Sequence, residues 1–340
     1  MTKSIYIHIG PHKTGTSTIQ YSLSQNRQQL QDRGILYPIS GTLPGKPTGQ
    51  HNLAWELTAD ERFTKRFGTW KNVIREIHNS KAEQIILSSE DFCHCNQEQI
   101  EKIRALLEEY EVKVIVYLRR QDLKLQSQWA VRQVRIEYLD QYDPFPVWLE
   151  KNPKEFIVSD YARLIAPWAE VFGRDGIHAR VLEKDQLSGT LLQDFLSACQ
   201  ITNPEQIRES ENRNISPGIK KVILFQELKK RFTENSNPAG IKKVLEIIAE
   251  YAEQAGWNQQ KWSVIDRDLY DRISQYYEES NRRIAKEFFS REELFFEPYD
   301  DRYQTHFSIK DFPPGELLDV MVYVSSQLLT GQGHSIKVNP

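Results

Sequence analysis

The feature that most constrains this chain is a short N-terminal segment in which an apolar strand runs directly into a glycine-bounded loop. The strand is Tyr6-Ile7-His8-Ile9, and residues 10–18 follow with the sequence Gly-Pro-His-Lys-Thr-Gly-Thr-Ser-Thr. Glycines allow a tight turn, and the N–H groups and dipole of a helix start attract an anion. These residues, called the glycine loop below, are therefore predicted to bind a phosphate-like group.

The position of the lysine separates this loop from that of the nucleoside triphosphatases. In their P-loop the lysine comes directly after the second glycine and is followed by a serine or threonine that binds magnesium. Here Thr16 follows Gly15, and Lys13 comes two residues before Gly15. The loop supplies charge and short donors, but in an order that differs from the usual NTPase arrangement.

A second strand-to-helix junction carries basic and hydroxyl residues at a defined spacing. Residues 112–118 form a β-branched run that ends at Arg119-Arg120, and an amphipathic helix is expected next, with Asp122 near its N-cap. Ser127 comes eight positions after Arg119. Side chains at a strand end and about one turn into the next helix can converge on one phosphate, to which a guanidinium offers paired, charge-assisted bonds.

Together the two segments resemble the donor-binding motifs of sulfotransferases, which use 3′-phosphoadenosine 5′-phosphosulfate (PAPS). In that family a lysine, a small hydroxyl residue, a glycine and two hydroxyl residues hold the 5′-phosphosulfate, and the arginine and serine hold the 3′-phosphate. Within the family, the resemblance is to soluble bacterial enzymes that sulfate carbohydrates or lipids. It implies these donor-binding residues: His12, Lys13, Thr14, Gly15, Thr16, Ser17, Arg119 and Ser127.

The chain departs from the family pattern at two points. The family commonly has Asn-Pro after the arginine, where this chain has Arg120-Gln121. Whether Arg119 or Arg120 makes the main phosphate contact is therefore open. The chain also lacks the Arg-Lys-Gly segment of the cytosolic enzymes, and residues 212–214 (Asn-Arg-Asn) are a candidate replacement.

Two residues are candidates for the general base that a hydroxyl acceptor requires. Glu90 follows a predicted buried strand, residues 84–88, and should emerge at the same sheet edge as Lys13. Glycan sulfotransferases similarly use a glutamate after a core strand. An acid so placed can instead bind magnesium, as in a Walker B element, or cap the next helix. His51 is the second candidate, since it follows a Gly/Pro-rich stretch at 41–49 that is read as a mobile loop or lid.

The resemblance also implies a catalytic role for Lys13, which would stabilise the bridging oxygen as its bond to sulfur breaks. Positioning and electrostatics do most of the work in such a transfer. We expect no metal, because the donor needs none in this family. Cys93-His94-Cys95 also lacks a partner pair for a zinc site.

Strands alternate with helical patterns over the first part of the chain, which predicts an α/β fold with a P-loop-type parallel sheet flanked by helices. After about Cys199 the pattern becomes helical and highly charged, with helices expected over residues 217–232, 239–255 and 266–289. We therefore expect a donor-binding core over residues 1–200 and a mainly helical extension over residues 201–340, packed as one structural domain overall.

Composition narrows the partners and the compartment. The 340 residues carry a net charge of −3, so no global basic field favours nucleic acid. The sequence has no apolar run long enough to cross a membrane, and its first strand begins too close to Met1 for a signal peptide. Three cysteines without framework spacing favour a reducing compartment, and the cytoplasm is expected.

Three functions remain in consideration. A PAPS-dependent sulfotransferase acting on a hydroxyl of a glycan or glycolipid explains both the lysine position and the Arg119/Ser127 pair. A P-loop kinase or NTPase using Mg-ATP explains the glycine loop and Glu90 but not the lysine order. A protein that binds the product 3′-phosphoadenosine 5′-phosphate (PAP) without catalysis is the third.

Four aromatic residues can either line a sugar-binding cleft or belong to the core, and their helical spacing favours the core. They are Trp55, Trp129, Tyr138 and Trp148.

Overall fold

A five-stranded parallel sheet is the centre of the fold. The computed structural model describes residues 2–43, 49–210, 216–233, 238–259 and 261–330. Neighbouring strands pair in parallel in the order β2-β3-β1-β4-β5. The strands are β1 (Ser4–His8), β2 (Ile35–Leu36), β3 (Gln84–Ser88), β4 (Glu111–Leu118) and β5 (Ile177–Val181). The predicted α/β class with a parallel sheet is confirmed. Residues 44–48 of the expected loop and the candidate segment 212–214 lie outside the described residues.

The described residues also contain α-helices in both parts of the chain. They are α1 (Thr16–Gln25), α2 (Arg27–Asp32), α3 (His51–Thr58), α4 (Trp70–Asn79), α5 (Gln97–Leu106), α6 (Gln121–Val134), α7 (Phe145–Lys151), α8 (Pro153–Ile157), α9 (Tyr161–Phe172), α10 (Leu191–Ala198), α11 (Ile219–Thr233), α12 (Pro238–Gln254), α13 (Arg267–Phe289) and α14 (Pro314–Thr330). The later part of the described chain is helical, as expected.

The apolar spacing of residues 16–33 predicts a single helix, but the chain breaks at Asn26 between α1 and α2. The side-chain amide of Asn26 donates to the carbonyl of Ser22 at 2.7 Å and to that of Arg208 at 2.9 Å. Asparagine side chains compete with the backbone for such bonds and so favour helix ends. The break therefore has a local chemical cause.

Other helix boundaries follow local signals in the sequence. Asn96 and Gln99 have the spacing of a capping box, and they form that box at the start of α5 with bonds of 3.0 and 2.8 Å. Gly173 ends α9 with φ of 78°. The apolar spacing of residues 100–110 predicts that Leu106 faces inward, but this is wrong, because its side chain is 39% exposed at the last residue of α5.

Apolar side chains cover both faces of the sheet, as a parallel sheet requires. Successive residues of a strand point to opposite faces, so Ile5 and Ile7 belong to one buried cluster and Tyr6 to the other. Helices α4, α5 and α9 pack on the first face, and α1 and α10 on the second. Because helices cover both faces of the sheet, a ligand site is expected at the carboxyl ends of its strands.

The chain divides into two compact units whose segments alternate along the sequence. The first contains residues 1–124, 156–214 and 274–297, including the sheet. The second contains residues 125–155, 215–273 and 298–340 and has its own buried cluster around Phe225, Leu245 and Tyr251. The boundary expected near residue 200 stays a prediction.

Among the described residues, no helix has both the length and the apolar character that crossing a bilayer requires.

Candidate functional site

The three central strands run in parallel, so the polar segments that follow them lie at one edge of the sheet. His8 of β1 pairs with Ser88 of β3 and with Ile115 of β4. The chain leaves β1 toward β2 on one side and leaves β4 toward β5 on the other. Ligands of open α/β sheets bind in the crevice at such a reversal of strand order. The glycine loop after β1 and Arg119 after β4 border this crevice.

The glycine loop is held in a tight, partly left-handed conformation. Gly10, Lys13 and Gly15 have φ of 83°, 68° and 84°. A side chain at Gly10 would lie 2.8 Å from the Cα atom of Glu90, so the loop passes directly against the end of β3. Lys13 pays a conformational cost of about 1 kcal/mol in this region, and strain of this kind is concentrated at ligand sites.

The start of α1 has the features that favour a bound anion. Gly15 is its N-cap and provides no side-chain cap, and the first turn from Thr16 carries no acidic residue. The first N–H groups of a helix have no partner within the helix, and the dipole favours negative charge there. The hydroxyl of Thr14 donates to the carbonyl of Pro11 at 2.6 Å, which closes the loop on itself. This hydroxyl therefore shapes the loop.

The two arginines after β4 have different partners. Arg119 donates from Nη1 to the carbonyl of Lys13 at 3.0 Å, and its own N–H donates to the hydroxyl of Tyr161 at 3.0 Å. Burial lowers the pKa of Arg119. Arg120 donates two bonds to the carboxylate of Asp122, at 2.8 and 2.9 Å. Arg119 is thus the arginine that contacts the glycine loop.

The structure bears out the position expected for Asp122 and refines that of Ser127. Asp122 lies in the first turn of α6, near the N-cap, and binds Arg120. Ser127 is the seventh residue of α6, nearly two turns from its start, and its hydroxyl lies 3.5 Å from that of Ser216. Ser127 belongs to the second unit, and its convergence with Arg119 stays a prediction.

His51 follows the stretch 41–49 closely in the sequence and is the first residue of helix α3. The preceding Gln50 fixes this start. Its N–H donates to the carbonyl of Ser88 at 2.7 Å, and its side-chain oxygen accepts from the N–H of Ser88 at 2.8 Å. These bonds extend the edge pairing of β3 and place His51 beside the residues that follow β3.

The two candidate bases lie next to each other. His51 Nδ1 is 2.9 Å from the hydroxyl of Ser89, 3.5 Å from Asp91 Oδ2 and 3.8 Å from Glu90 Oε2. Burial is the largest influence on the pKa of His51 and acts to lower it, but Asp91 and Glu90 outweigh it and raise the pKa. The imidazole therefore holds a proton more tightly than an ordinary histidine.

Glu90 is nearly buried but stays ionised. Burial acts to raise its pKa, but the neighbouring His51 and His12 and a hydrogen bond from Gln20 outweigh burial and lower it. That bond joins Gln20 Nε2 to Glu90 Oε2 at 2.8 Å. Glu90 is therefore in the unprotonated form that a general base requires.

Asp91 is the residue of this cluster that the sequence reasoning missed. Its carboxylate accepts from the indole N–H of Trp55 at 2.8 Å and lies 3.6 Å from His12 Nε2 and 3.5 Å from His51 Nδ1. Burial opposes ionisation, but both histidines hold the pKa of Asp91 well below its usual range. The polar run Ser-Ser-Glu-Asp at residues 88–91, which begins at the last residue of β3, was the available signal.

The aromatic residues mostly belong to the core, as their spacing favoured. Trp129 and Trp148 are each 1% exposed and Trp55 is 7% exposed. Tyr138 differs, with 38% of its surface exposed. Trp55 also donates a hydrogen bond to Asp91, so this residue is both part of the core and a contact of the polar cluster.

His8 lies in the sheet beneath this cluster. Its Nδ1 is 2.9 Å from the hydroxyl of Ser88, and its Nε2 is buried without a partner among the described residues. Burial lowers the pKa of His8 to about 4. The folded protein therefore contains a neutral imidazole at this position across the pH range in which an exposed histidine becomes charged.

The pH dependence of stability should report this buried imidazole. The unfolded chain takes up the His8 proton near pH 6.5 and the folded chain only near pH 4. The free energy of unfolding should thus fall as the pH decreases between these values, by up to about 3 kcal/mol from this group. Urea unfolding at several pH values should show a shallower decrease for His8→Gln, whereas His78→Gln, at an exposed site, should match the parent. Parallel curves for parent and His8→Gln would contradict this.

Comparisons with known proteins find only distant similarities. No family model matches it. An uncharacterized protein of Archaeoglobus fulgidus is 24% identical over 222 residues, which cover 62% of this chain and 55% of that protein. The match therefore spans about half the length of this curated relative. A crystal structure of a sulfotransferase from Alicyclobacillus acidocaldarius is similar with a TM-score of 0.49 and 13% identity, over 85% of this chain and 97% of that one. Both similarities are too distant to assign an activity.

Proposed function

We propose that this protein is a sulfotransferase that moves the sulfuryl group of PAPS to a hydroxyl group of a glycan or glycolipid and releases PAP. The observation that carries the proposal is the meeting of Lys13, Arg119 and Glu90 at one sheet edge. Arg119 bonds to the carbonyl of Lys13, and the glycine loop passes against the backbone of Glu90. Donor groups and a candidate base are therefore neighbours.

The donor would bind along the glycine loop and the end of β4. The uncapped start of α1 and the charge of Lys13 suit the 5′-phosphosulfate, with the N–H groups and hydroxyls of Thr16 and Ser17 as further donors. Arg119 is the better candidate for the 3′-phosphate, since the fork of Arg120 is already bonded to Asp122.

The transfer itself needs a proton acceptor and a stabilised leaving group. The acceptor oxygen attacks sulfur in line, a new S–O bond forms, and the S–O bond to the 5′-phosphate breaks. Glu90 takes the proton from the acceptor hydroxyl, and Lys13 stabilises the charge that develops on the bridging oxygen. His51, whose pKa is raised, holds Glu90 ionised and in position.

Ligand-dependent thermal stability tests the donor and separates the alternatives. A ligand that binds only the folded protein at 100 times its Kd should stabilise it by about 2.7 kcal/mol. We expect PAP to raise the Tm clearly, and adenosine 5′-monophosphate, which lacks the 3′-phosphate, to raise it less. Stabilisation by Mg-ATP but not by PAP would favour a kinase or NTPase. Binding of PAP without sulfate transfer to any acceptor would favour a non-catalytic PAP-binding protein.

Two matched variants sharpen that test. Arg119→Gln should remove the advantage of PAP over adenosine 5′-monophosphate, because its guanidinium is assigned to the 3′-phosphate. Arg120→Gln should retain the advantage, because that side chain is bonded to Asp122. The opposite pattern would transfer the phosphate contact to Arg120.

A further inference from the structure

We propose that His12, Cys93 and His94 form a binding site for a transition-metal ion, with Zn²⁺ as the best match. His12 lies in the glycine loop, and the other two residues end the 3-10 helix Glu90–His94 that follows β3. The three ligand atoms lie within 4.8 Å of one another. His12 is also among the residues that the resemblance assigns to the donor, but no step of the proposed transfer uses Cys93 or His94, so the inference goes beyond the proposed function.

The spacing of the two imidazoles already suits one ion. His12 Nε2 and His94 Nε2 are 3.4 Å apart. Two nitrogens bound tetrahedrally to zinc, each at about 2.0–2.1 Å, lie about 3.3–3.4 Å from each other. The histidine pair can therefore bind an ion with little movement, and only the thiol of Cys93 has to approach.

The donor set selects the kind of metal. Two imidazole nitrogens and one sulfur suit Zn²⁺ and related ions, whereas Mg²⁺ and Ca²⁺ prefer oxygen ligands. This site is therefore different in chemistry from the magnesium site of a nucleoside triphosphatase. Three protein ligands leave a fourth tetrahedral position for water or another small ligand.

Access and local charge also favour a cation. His94 is exposed, and His12 and Cys93 are partly exposed, so an ion can enter from solvent. The carboxylate of Asp91 lies 3.6 Å from His12 Nε2 and adds negative charge beside the cluster. Sequence spacing did not reveal the set, because Cys93-His94-Cys95 finds its third ligand in His12, far away in the sequence, rather than in Cys95.

Cobalt spectroscopy on the full chain tests the site independently of the donor. We expect Co²⁺, added to chelator-treated protein, to give an intense tetrahedral visible spectrum and a thiolate-to-cobalt charge-transfer band, both removed by Zn²⁺. Cys93→Ser should lose the charge-transfer band. His94→Ala, at an exposed position, should fold normally and bind Zn²⁺ more than about 100-fold more weakly, since loss of even an outer partner of a ligand costs 10- to 100-fold.

The controls are residues of the same types outside the cluster. Cys199→Ser and His78→Ala should retain the parent spectrum and affinity. The proposal is overturned if the charge-transfer band persists in Cys93→Ser, if His94→Ala binds Zn²⁺ as tightly as the parent, or if the parent gives no tetrahedral spectrum. These results do not depend on whether PAP binds, so the failure of this site and the failure of the proposed function can be told apart.

Discussion

Replacing Glu90 by glutamine is expected to lower kcat about 10²- to 10⁴-fold, the usual contribution of a positioned base. The amide has the shape of the carboxylate and can still accept the bond from Gln20, but it cannot take a proton. PAP binding should change little, because the assigned donor contacts are on Lys13, Arg119 and the start of α1. Transfer of radiolabelled sulfate from PAPS, screened over surface polysaccharides and glycolipid precursors, measures the rate.

The pH profile of kcat separates Glu90 from His51 as the base. The pKa of Glu90 is lowered from 4.5, because the nearby histidines and Gln20 outweigh burial. With Glu90 as base, activity should therefore be lost on the acid side only below about pH 4.5. The pKa of His51 is raised from 6.5. With His51 as base, activity should therefore begin to fall at a pH above 6.5 as the pH is lowered. If activity already falls at a pH above 6.5 on acidification, and the Glu90→Gln variant is active, His51 rather than Glu90 would be the base.

Much of this architecture could be predicted because its signals are local. The strand at 84–88 and the helix α4 coincide with apolar patterns of the right period, and the capping box at Asn96 marks the start of α5. The placement of Glu90 beside the glycine loop followed from a general property of parallel sheets, in which successive strand ends meet at one edge.

The details of the polar cluster could not be predicted, because they depend on contacts between distant segments. His51 takes its place through the pairing of Gln50 with Ser88, which are separated by 38 residues. Asp91 was overlooked because its partners Trp55 and His12 come from two other elements. Apolar periodicity carries no information about such pairs. A polar run after a core strand indicates a site, but not which of its members orients the others.

Lys13→Met is expected to lower kcat about 10²- to 10³-fold, as does removal of one preorganised stabiliser of transition-state charge. The charge on the bridging oxygen grows as its bond to sulfur breaks, so the ammonium should stabilise the transition state more than bound PAPS. Methionine is also unbranched and meets the same backbone demand as lysine at φ of 68°, so the loop conformation should be retained.

The controls separate a catalytic lysine from a purely binding one. Lys71→Met removes a charge at an exposed position of α4 and should leave kcat unchanged, and equal melting curves for the two variants would show intact folds. Lys13→Arg keeps the charge but replaces a compact ammonium by a larger planar group, so partial activity is expected. If Lys13→Met raised KM while kcat stayed at the parental value, Lys13 would contribute equally to ground state and transition state, and its catalytic assignment would be wrong.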